Sequence, residues 1–413
     1  MNESLNISQK VNPQINSLLI VAFIIYLINP LLGIFLLAIS LSLSNGGRKP
    51  NTIYLYLAIS IFFALLNTTR TPESDLLNYK IDFESASNVS LGQYLSGVTR
   101  EIIYYIFTFI LNRLLLSSFS AYIVVITMLQ YMLRFMTLEK IIGKDHIVYL
   151  VFGSLLILLD GTFFFGSIHL LRQFTACSIF MYFMAERFVD HKTLWVLIPI
   201  AVLIHSSSGV LFIIALIPSL QNRINPRLMF SITILIIVFL TFGDRIIAIL
   251  DYATRAISWL NYPFERIATM EELDYGWYTG TGFIGVRKNI LRYTILPIIV
   301  YYYLTGKKPG AHYLVNFCLL YFFVLEMFVA NHLLYMQMRM AYYIYPFSAF
   351  ALTLMVKSIY EHSSVSVTFP IGIMILAFMA YRFSRGYINT NFAIIDFMSM
   401  LYTPLISYLI GFI

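Results

Sequence analysis

Long apolar runs, among them Ile147 to Leu159, Leu194 to Ile204 and Met229 to Leu240, alternate with short polar turns along the whole chain. A helix needs about 20 residues to cross the hydrocarbon of a bilayer, and runs at this spacing predict membrane-spanning helices. Spans are expected near Ser17 to Leu43 with a break at Asn29-Pro30, Thr52 to Leu66, Phe119 to Leu138, Ile147 to Phe165, Ile168 to Val189, Leu194 to Ile204 and Ser207 to Leu220. Further spans are expected near Leu228 to Phe242, Ile290 to Leu304, Tyr313 to Ala330, Leu334 to Val356, Ser366 to Tyr381 and Phe397 to Ile413. The prediction is one all-α domain over residues 1–413, a polytopic integral membrane helical bundle of about 12–14 spans. Two stretches interrupt the pattern: residues 67–118, read as an outer loop plus an in-plane or re-entrant helix, and residues 243–289, read as a large outer loop.

Composition agrees with the pattern. Hydrophobic residues make up 59% of the chain and charged residues 11%, against about 25% charged in soluble domains, so a water-soluble globule is excluded. The net charge of +7 is spread in ones and twos between apolar runs, and no nucleic-acid partner is expected. Cys177 and Cys318 both lie inside apolar runs, which leaves no basis for a disulfide framework or a cysteine metal site. Met1 to Asn16 reads as a retained polar tail, since the apolar segment after it is too long for a signal sequence and no Ala-x-Ala site follows.

Charge sets the orientation. Short turns carrying Arg48-Lys49, Lys140 with Lys144, Arg187 with Lys192, Arg223 with Arg227, Lys307-Lys308 and Lys357 fall on alternate sides of successive hairpins and are cytoplasmic by the positive-inside rule. The opposite, outer side then receives Arg70, Arg100, Arg113, Arg172, Arg339 and Arg382, with further arginines, against only Lys80 and Lys288. Arginine grips carboxylate or phosphate with a planar two-pronged fork that lysine lacks. The asymmetry points to an outer cavity for an anionic, phosphorylated ligand, with solvated arginine-rich loops as the alternative.

Several outer-side residues can carry chemistry. A charged side chain at bilayer depth costs about 2.5 to 3.5 kcal/mol on insertion scales, so Arg172 needs a partner, a cavity or an interface. His169, Arg172 and Gln173 are spaced to share one helix face, which favours a cavity lining over simple snorkelling. His205 opens His205-Ser206-Ser207-Ser208 at an outer break and can exchange a proton near neutral pH, or can merely cap the next helix. Arg70, Glu73, Asp75 and Tyr79 open the first outer loop. Glu73 and Asp75 could bind a divalent ion or face solvent, and no convincing metal site emerges. Glu101 would start the in-plane helix, where its charge suits the helix dipole. Arg339 with Tyr342 and Tyr343 puts a second arginine near the outer end of a late span, and Trp259, Trp277, Tyr275 and Tyr278 add sugar-stacking or interfacial rings to the large outer loop.

Taken in order, Arg70 with Asp75 and Tyr79, Glu101 opening a helix, Arg172-Gln173 heading a helix that ends in Glu186-Arg187, His205-Ser206 one span later, and Arg339 near the end resemble the EpsG-like, Wzy-type polysaccharide polymerases. The likeness is clearest from Arg70 to Leu220. The family commonly shows Glu-Pro where this chain has Glu101-Ile102, and a small-residue or Asn-Gly lead-in where it has Gly166 to His169. The resemblance implies an enzyme of the bacterial inner membrane that joins undecaprenyl-diphosphate-linked oligosaccharide repeat units at the outer face, as in O-antigen or capsule assembly. A chain-length regulator is implied as a partner, and activity without a cofactor or metal is expected. Arg172 and Arg339, with Arg70 as a third member, are assigned to the diphosphate; His205, Asp75 and Glu101 to catalysis; Gln173, His169, Tyr79 and Tyr342 to substrate contact. Positive charge placed where the leaving diphosphate develops charge is what such chemistry needs. A flippase for the same lipid-linked sugars, which would be expected to show two related halves, and an O-antigen ligase are the alternatives.

Overall fold

The computed structural model describes residues 13–43, 51–222, 249, 252, 289–305, 309–330, 334–388 and 397–410. Among these residues every regular element is helical and there is no strand. Backbone groups in hydrocarbon must be satisfied internally, which a helix does within its own segment. The chain is an all-α polytopic membrane protein.

Among the described residues two helices are long and apolar enough to cross a membrane: α7 (Phe119–Ile142) and most of α17 (Val365–Ile388). The remaining spans are more broken than the apolar runs predict. The first run is not one kinked helix but a hairpin of α1 (Pro13–Ile28) and α2 (Pro30–Leu43). Pro30 has no N–H to continue α1, and the Asn29 side chain caps α2 by accepting from the Leu32 N–H at 3.0 Å. Gly33 lets the two helices touch, because a Cβ there would lie 2.3 Å from the Tyr26 backbone. α3 (Ile53–Thr68) leads out to three helices, α4 (Asp75–Ser85), α5 (Leu91–Leu95) and α6 (Ile102–Leu114).

The run predicted as one span over Ile147 to Phe165 divides into α8 (Ile147–Leu158) and α9 (Gly161–His169), bent by 56°. At the bend Asp160 accepts from the Phe163 N–H and from Arg134 Nη2 at 2.8 Å. The same Arg134 nitrogen donates to the Pro346 carbonyl at 3.0 Å. Pro346 lies in the 3-10 turn that divides the run predicted over Leu334 to Val356 into α15 (Leu334–Ile344) and α16 (Ser348–His362). One fully buried arginine on α7 therefore fixes two helix breaks. It also lies 3.9 Å from the centre of the Phe163 ring, which shields it.

After a single non-helical residue, Leu170, the chain enters α10 (Leu171–Asp190). At 1.5 Å per residue, its 20 residues span about 30 Å. α7 packs along both α3 and α10. Lys140 at the end of α7 bridges Glu186 and Asp190 at the end of α10, at 2.7 and 2.8 Å, and Lys357 caps the Ile142 carbonyl at 3.0 Å. These charges gather at the opposite end of α10 from Arg172. α11 (Leu197–Ile204) and α12 (Gly209–Ala215) are joined by a 3-10 turn over Ser206–Ser208. The later part comprises α13 (Leu296–Thr305), α14 (Pro309–Ala330), α15, α16, α17, α18 (Phe397–Tyr402) and α19 (Leu405–Ile410). Large apolar side chains such as Ile20, Phe23, Phe369 and Met374 point outward, as a lipid environment permits.

Candidate active site

The break at Leu170 creates the site. It would leave carbonyls at the α9–α10 junction without helical partners, and a buried unpaired carbonyl is costly. Gln130 on α7 meets them: its side-chain amide donates to the Ser167 and Leu171 carbonyls at 3.1 and 3.3 Å and to Thr175 Oγ1 at 2.9 Å. Asn67 at the end of α3 donates to Ser167 Oγ and Thr127 Oγ1, both at 3.1 Å. Gly166 admits the Phe174 ring where a Cβ would lie 2.1 Å from it. The single helix face predicted for His169, Arg172 and Gln173 is thus divided: His169 ends α9 and Arg172 begins α10, with the break between them.

Arg172 meets Glu101 and, through it, His205. Arg172 Nη1 donates to Glu101 Oε2 at 2.5 Å, and His205 Nδ1 lies 2.7 Å from Glu101 Oε1. The Ser206 backbone N–H, at 3.4 Å, also points to Oε1. Glu101 is buried, whereas the Arg172 and His205 side chains are 22% and 21% exposed. The carboxylate therefore forms the floor, and the Arg172 and His205 side chains form the rim. Burial by itself would push the Glu101 carboxyl up, but His205, by charge and hydrogen bond, and Arg172 together more than offset it and hold the pKa down at about 2. Glu101 caps α6 in the left-handed region, with φ at 53°, a conformation that costs a non-glycine residue about 1–3 kcal/mol and clusters at functional positions.

Tyrosines from α4 and α6 complete the setting of Arg172. Its guanidinium lies 5.4 Å from the Tyr79 ring centre on α4 and 5.2 Å from that of Tyr104 on α6, within reach of cation–π attraction. Both rings belong to a compact cluster with Leu76, Phe83, Leu111, Tyr122, Ile123 and Ile168 that seats α4 and α6 on α7 and α9. The inward face of α6 is Tyr104, Thr108, Leu111 and Asn112, at helical spacing. Asn112 donates to the Phe83 carbonyl at 2.8 Å and Arg113 to the Val89 carbonyl at 2.6 Å, so the polar last turn of this helix fastens it to the α4–α5 segment.

A second wall comes from α15. Gln173 Nε2 donates to the Arg339 carbonyl at 2.5 Å, which sets Arg339 level with the start of α10. One turn on, Tyr343 shares a hydrogen bond with Ser207 at 2.8 Å, tying α15 to the turn that follows His205. Tyr342 packs on Phe174 at 6.2 Å between ring centres. Arg70 is placed differently. It is buried, donates to the Phe164 and Phe165 carbonyls at 3.1 and 3.4 Å, and lies 4.3 Å from the Phe164 ring centre. Its charge reaches His169, so these two lie on the α9 side of the break. Asp75 is in the first turn of α4, one turn from Tyr79. Among the described residues no three His, Cys, Asp or Glu side chains converge as a metal site would require. Trp259, Tyr275, Trp277 and Tyr278 lie outside the described residues.

Sequence reasoning did not single out Tyr104, Asp82 or the Arg134–Asp160 pair. Tyr104 follows Glu101 by three residues and Asp82 follows Tyr79 by three, so helical spacing was the available signal.

Fold and site together define a multi-pass membrane protein with a polar, arginine-bearing site at one end of a broken helical bundle. The chain belongs to the EpsG family, whose family model matches residues 53–398. Membership supports a polysaccharide polymerase of the EpsG/Wzy kind in general. No match is found among curated proteins or among solved structures.

Proposed function

We propose that the protein polymerises oligosaccharide repeat units carried on undecaprenyl diphosphate, at the outer face of the bacterial inner membrane. The observation that carries this reading is the Glu101 carboxylate shared between Arg172 and His205. With Nδ1–H donated to Glu101, His205 presents Nε2 as a proton acceptor, the arrangement by which a carboxylate fixes a histidine's tautomer. An acceptor hydroxyl, losing its proton to Nε2, attacks the anomeric carbon of the donor glycan. The bond from that carbon to the diphosphate oxygen breaks, and undecaprenyl diphosphate leaves as an anion. Arg172, through the nitrogens not engaged by Glu101, and Arg339 receive that charge. Gln173 holds these two arginines in register. Arg70, committed to carbonyls of α9, shapes the site from beneath. Asp75, Tyr79, Tyr342 and His169 line its approaches, and the chemistry needs no metal.

The test is glycan display in cells lacking the native gene, complemented with wild type, Arg172→Ala, Arg339→Ala or His205→Ala at matched membrane levels. The expected result is a ladder of repeats from wild type and a single capped unit from the variants. If the single unit also disappears without the gene, the protein acts in translocation or ligation and the reading fails.

A further inference from the structure

Asp82 is a half-buried acid on α4. It follows Tyr79 by one helical turn and Asp75 by two, so the three share a face of α4. Its backbone carbonyl accepts from Tyr94 Oη and Ser85 Oγ, each at 2.9 Å, while its carboxylate makes no hydrogen bond among the described residues. Tyr94 packs edge-on against Tyr105 at 6.0 Å, Tyr105 against Tyr104 at 5.1 Å, and Tyr104 lies under Arg172. A continuous row of rings thus runs from Asp82 to the Glu101–Arg172 pair. Tyr94 and Tyr105 are both half-buried. The surface beside them is open, since a Cβ on Gly92 or Gly97 would meet nothing within 4 Å.

We propose that Asp82, with the rings of Tyr94 and Tyr105, forms a pyranose subsite that holds a sugar of the acceptor glycan beside the Glu101–Arg172 pair. The proposal rests on the polymerase reading above. A carboxylate accepts hydrogen bonds from adjacent sugar hydroxyls, and an aromatic ring covers the apolar face of a pyranose while its own polar end stays wet. The negative charge of Asp82 would repel a diphosphate, so this side of the site suits the neutral glycan. Arg172 and Arg339 suit the phosphates. Burial pushes the Asp82 carboxyl up, Arg172 pulls it down and Glu101 pushes it up again, as expected of an acid that faces the site without a cation of its own. Exposed Leu77, Ile81, Ile102 and Ile110 border α4 and α6 with apolar surface, which keeps the subsite at the level where a lipid-linked glycan emerges from the membrane.

The test uses purified full-length protein in nanodiscs and, as probe, the repeat-unit oligosaccharide freed from its lipid diphosphate by mild acid. Saturation-transfer NMR should show sugar protons contacting wild type, with at least a tenfold weaker response from Asp82→Asn and from Tyr105→Ala. Tyr105→Phe, which keeps the ring, should retain the contact. Because the Asp82 carboxylate makes no hydrogen bond among the described residues, Asp82→Asn leaves the fold intact. An unchanged response from Asp82→Asn and Tyr105→Ala, or no response from wild type, overturns the proposal. Ladder formation by wild type in cells is read separately, so a chain that binds the glycan but forms no ladder refutes the polymerase reading and not the subsite.

Discussion

Replacing Glu101 by glutamine keeps the size and a hydrogen-bond acceptor but removes the charge between Arg172 and His205. The environment lowers the carboxyl pKa from 4.5 to about 2, and at 1.36 kcal/mol per pKa unit the ionised form is favoured by roughly 3 kcal/mol. Glu101→Gln should therefore lower stability by up to about that amount and leave Arg172 without its counter-charge. The sign of the pH dependence follows from the depressed pKa. The contribution is fully present above the unfolded value of 4.5, shrinks as pH falls, and is lost through about 2. The gap in thermal midpoint between wild type and Glu101→Gln, measured in detergent, should be widest above pH 5 and narrow toward pH 3. In the proposed reaction the variant also mis-sets the His205 tautomer, and general-base assistance is worth about 10²–10⁴-fold in rate, so the polysaccharide ladder should collapse to the single unit. A wild-type ladder from Glu101→Gln at equal membrane abundance, or a stability gap that stays constant from pH 3 to 8, would refute the reasoning.

Arg172→Lys keeps the charge but loses the planar fork and its stacking on Tyr79 and Tyr104; ladder formation should fall at least about tenfold, read by quantitative glycan gels at matched expression. Arg134→Met alone strands Asp160 in the core and should cost about 3–5 kcal/mol, whereas Arg134→Met with Asp160→Leu should recover part of the lost thermal midpoint measured by fluorescence-detected chromatography. Gly166→Ala puts a methyl into the Phe174 ring and should cost about 1–3 kcal/mol in the same assay, while Gly97→Ala, on an open surface, should cost under about 1 kcal/mol.

How much of this was legible in the sequence follows from what a membrane does to polar residues. Arg172, Glu101 and His205 stand out because each interrupts apolar surroundings, and a charge in such a place needs a reason. Their pairing was not legible, because Glu101 is 71 residues from Arg172 and 104 from His205, and no periodicity links them. The breaks at Asn29-Pro30, Asp160-Gly161 and Pro346 carry visible chain-breaking residues. The break at Leu170 carries none. It is held by Gln130, Asn67 and the close approach of Phe174 to Gly166, all tertiary contacts, so an unbroken face through His169, Arg172 and Gln173 was the natural expectation. Arg70 illustrates the converse. Its residue type suited a diphosphate clamp, but the Phe164 and Phe165 carbonyls of α9 occupy its fork.

A carboxylate in the middle of the proposed anion site needs its own explanation, and the arrangement supplies one. An unpaired arginine facing hydrocarbon is costly, so Glu101 compensates Arg172 while the site is empty. Glu101 is also held by His205 and the Ser206 N–H, so an arriving diphosphate can use the nitrogens of Arg172 that Glu101 leaves free without displacing the carboxylate. In the proposed reaction His205 takes the acceptor proton at the moment the anomeric bond breaks. The local charge then rises by one just as negative charge develops on the departing diphosphate, in fixed positions that need no reorganisation. On this account Glu101 is a positioning residue whose loss weakens the chemical step more than substrate binding. Glu101→Asp, which restores the charge at a shorter reach, should recover part of the ladder that Glu101→Gln loses, and equal activity of the two variants would remove the argument.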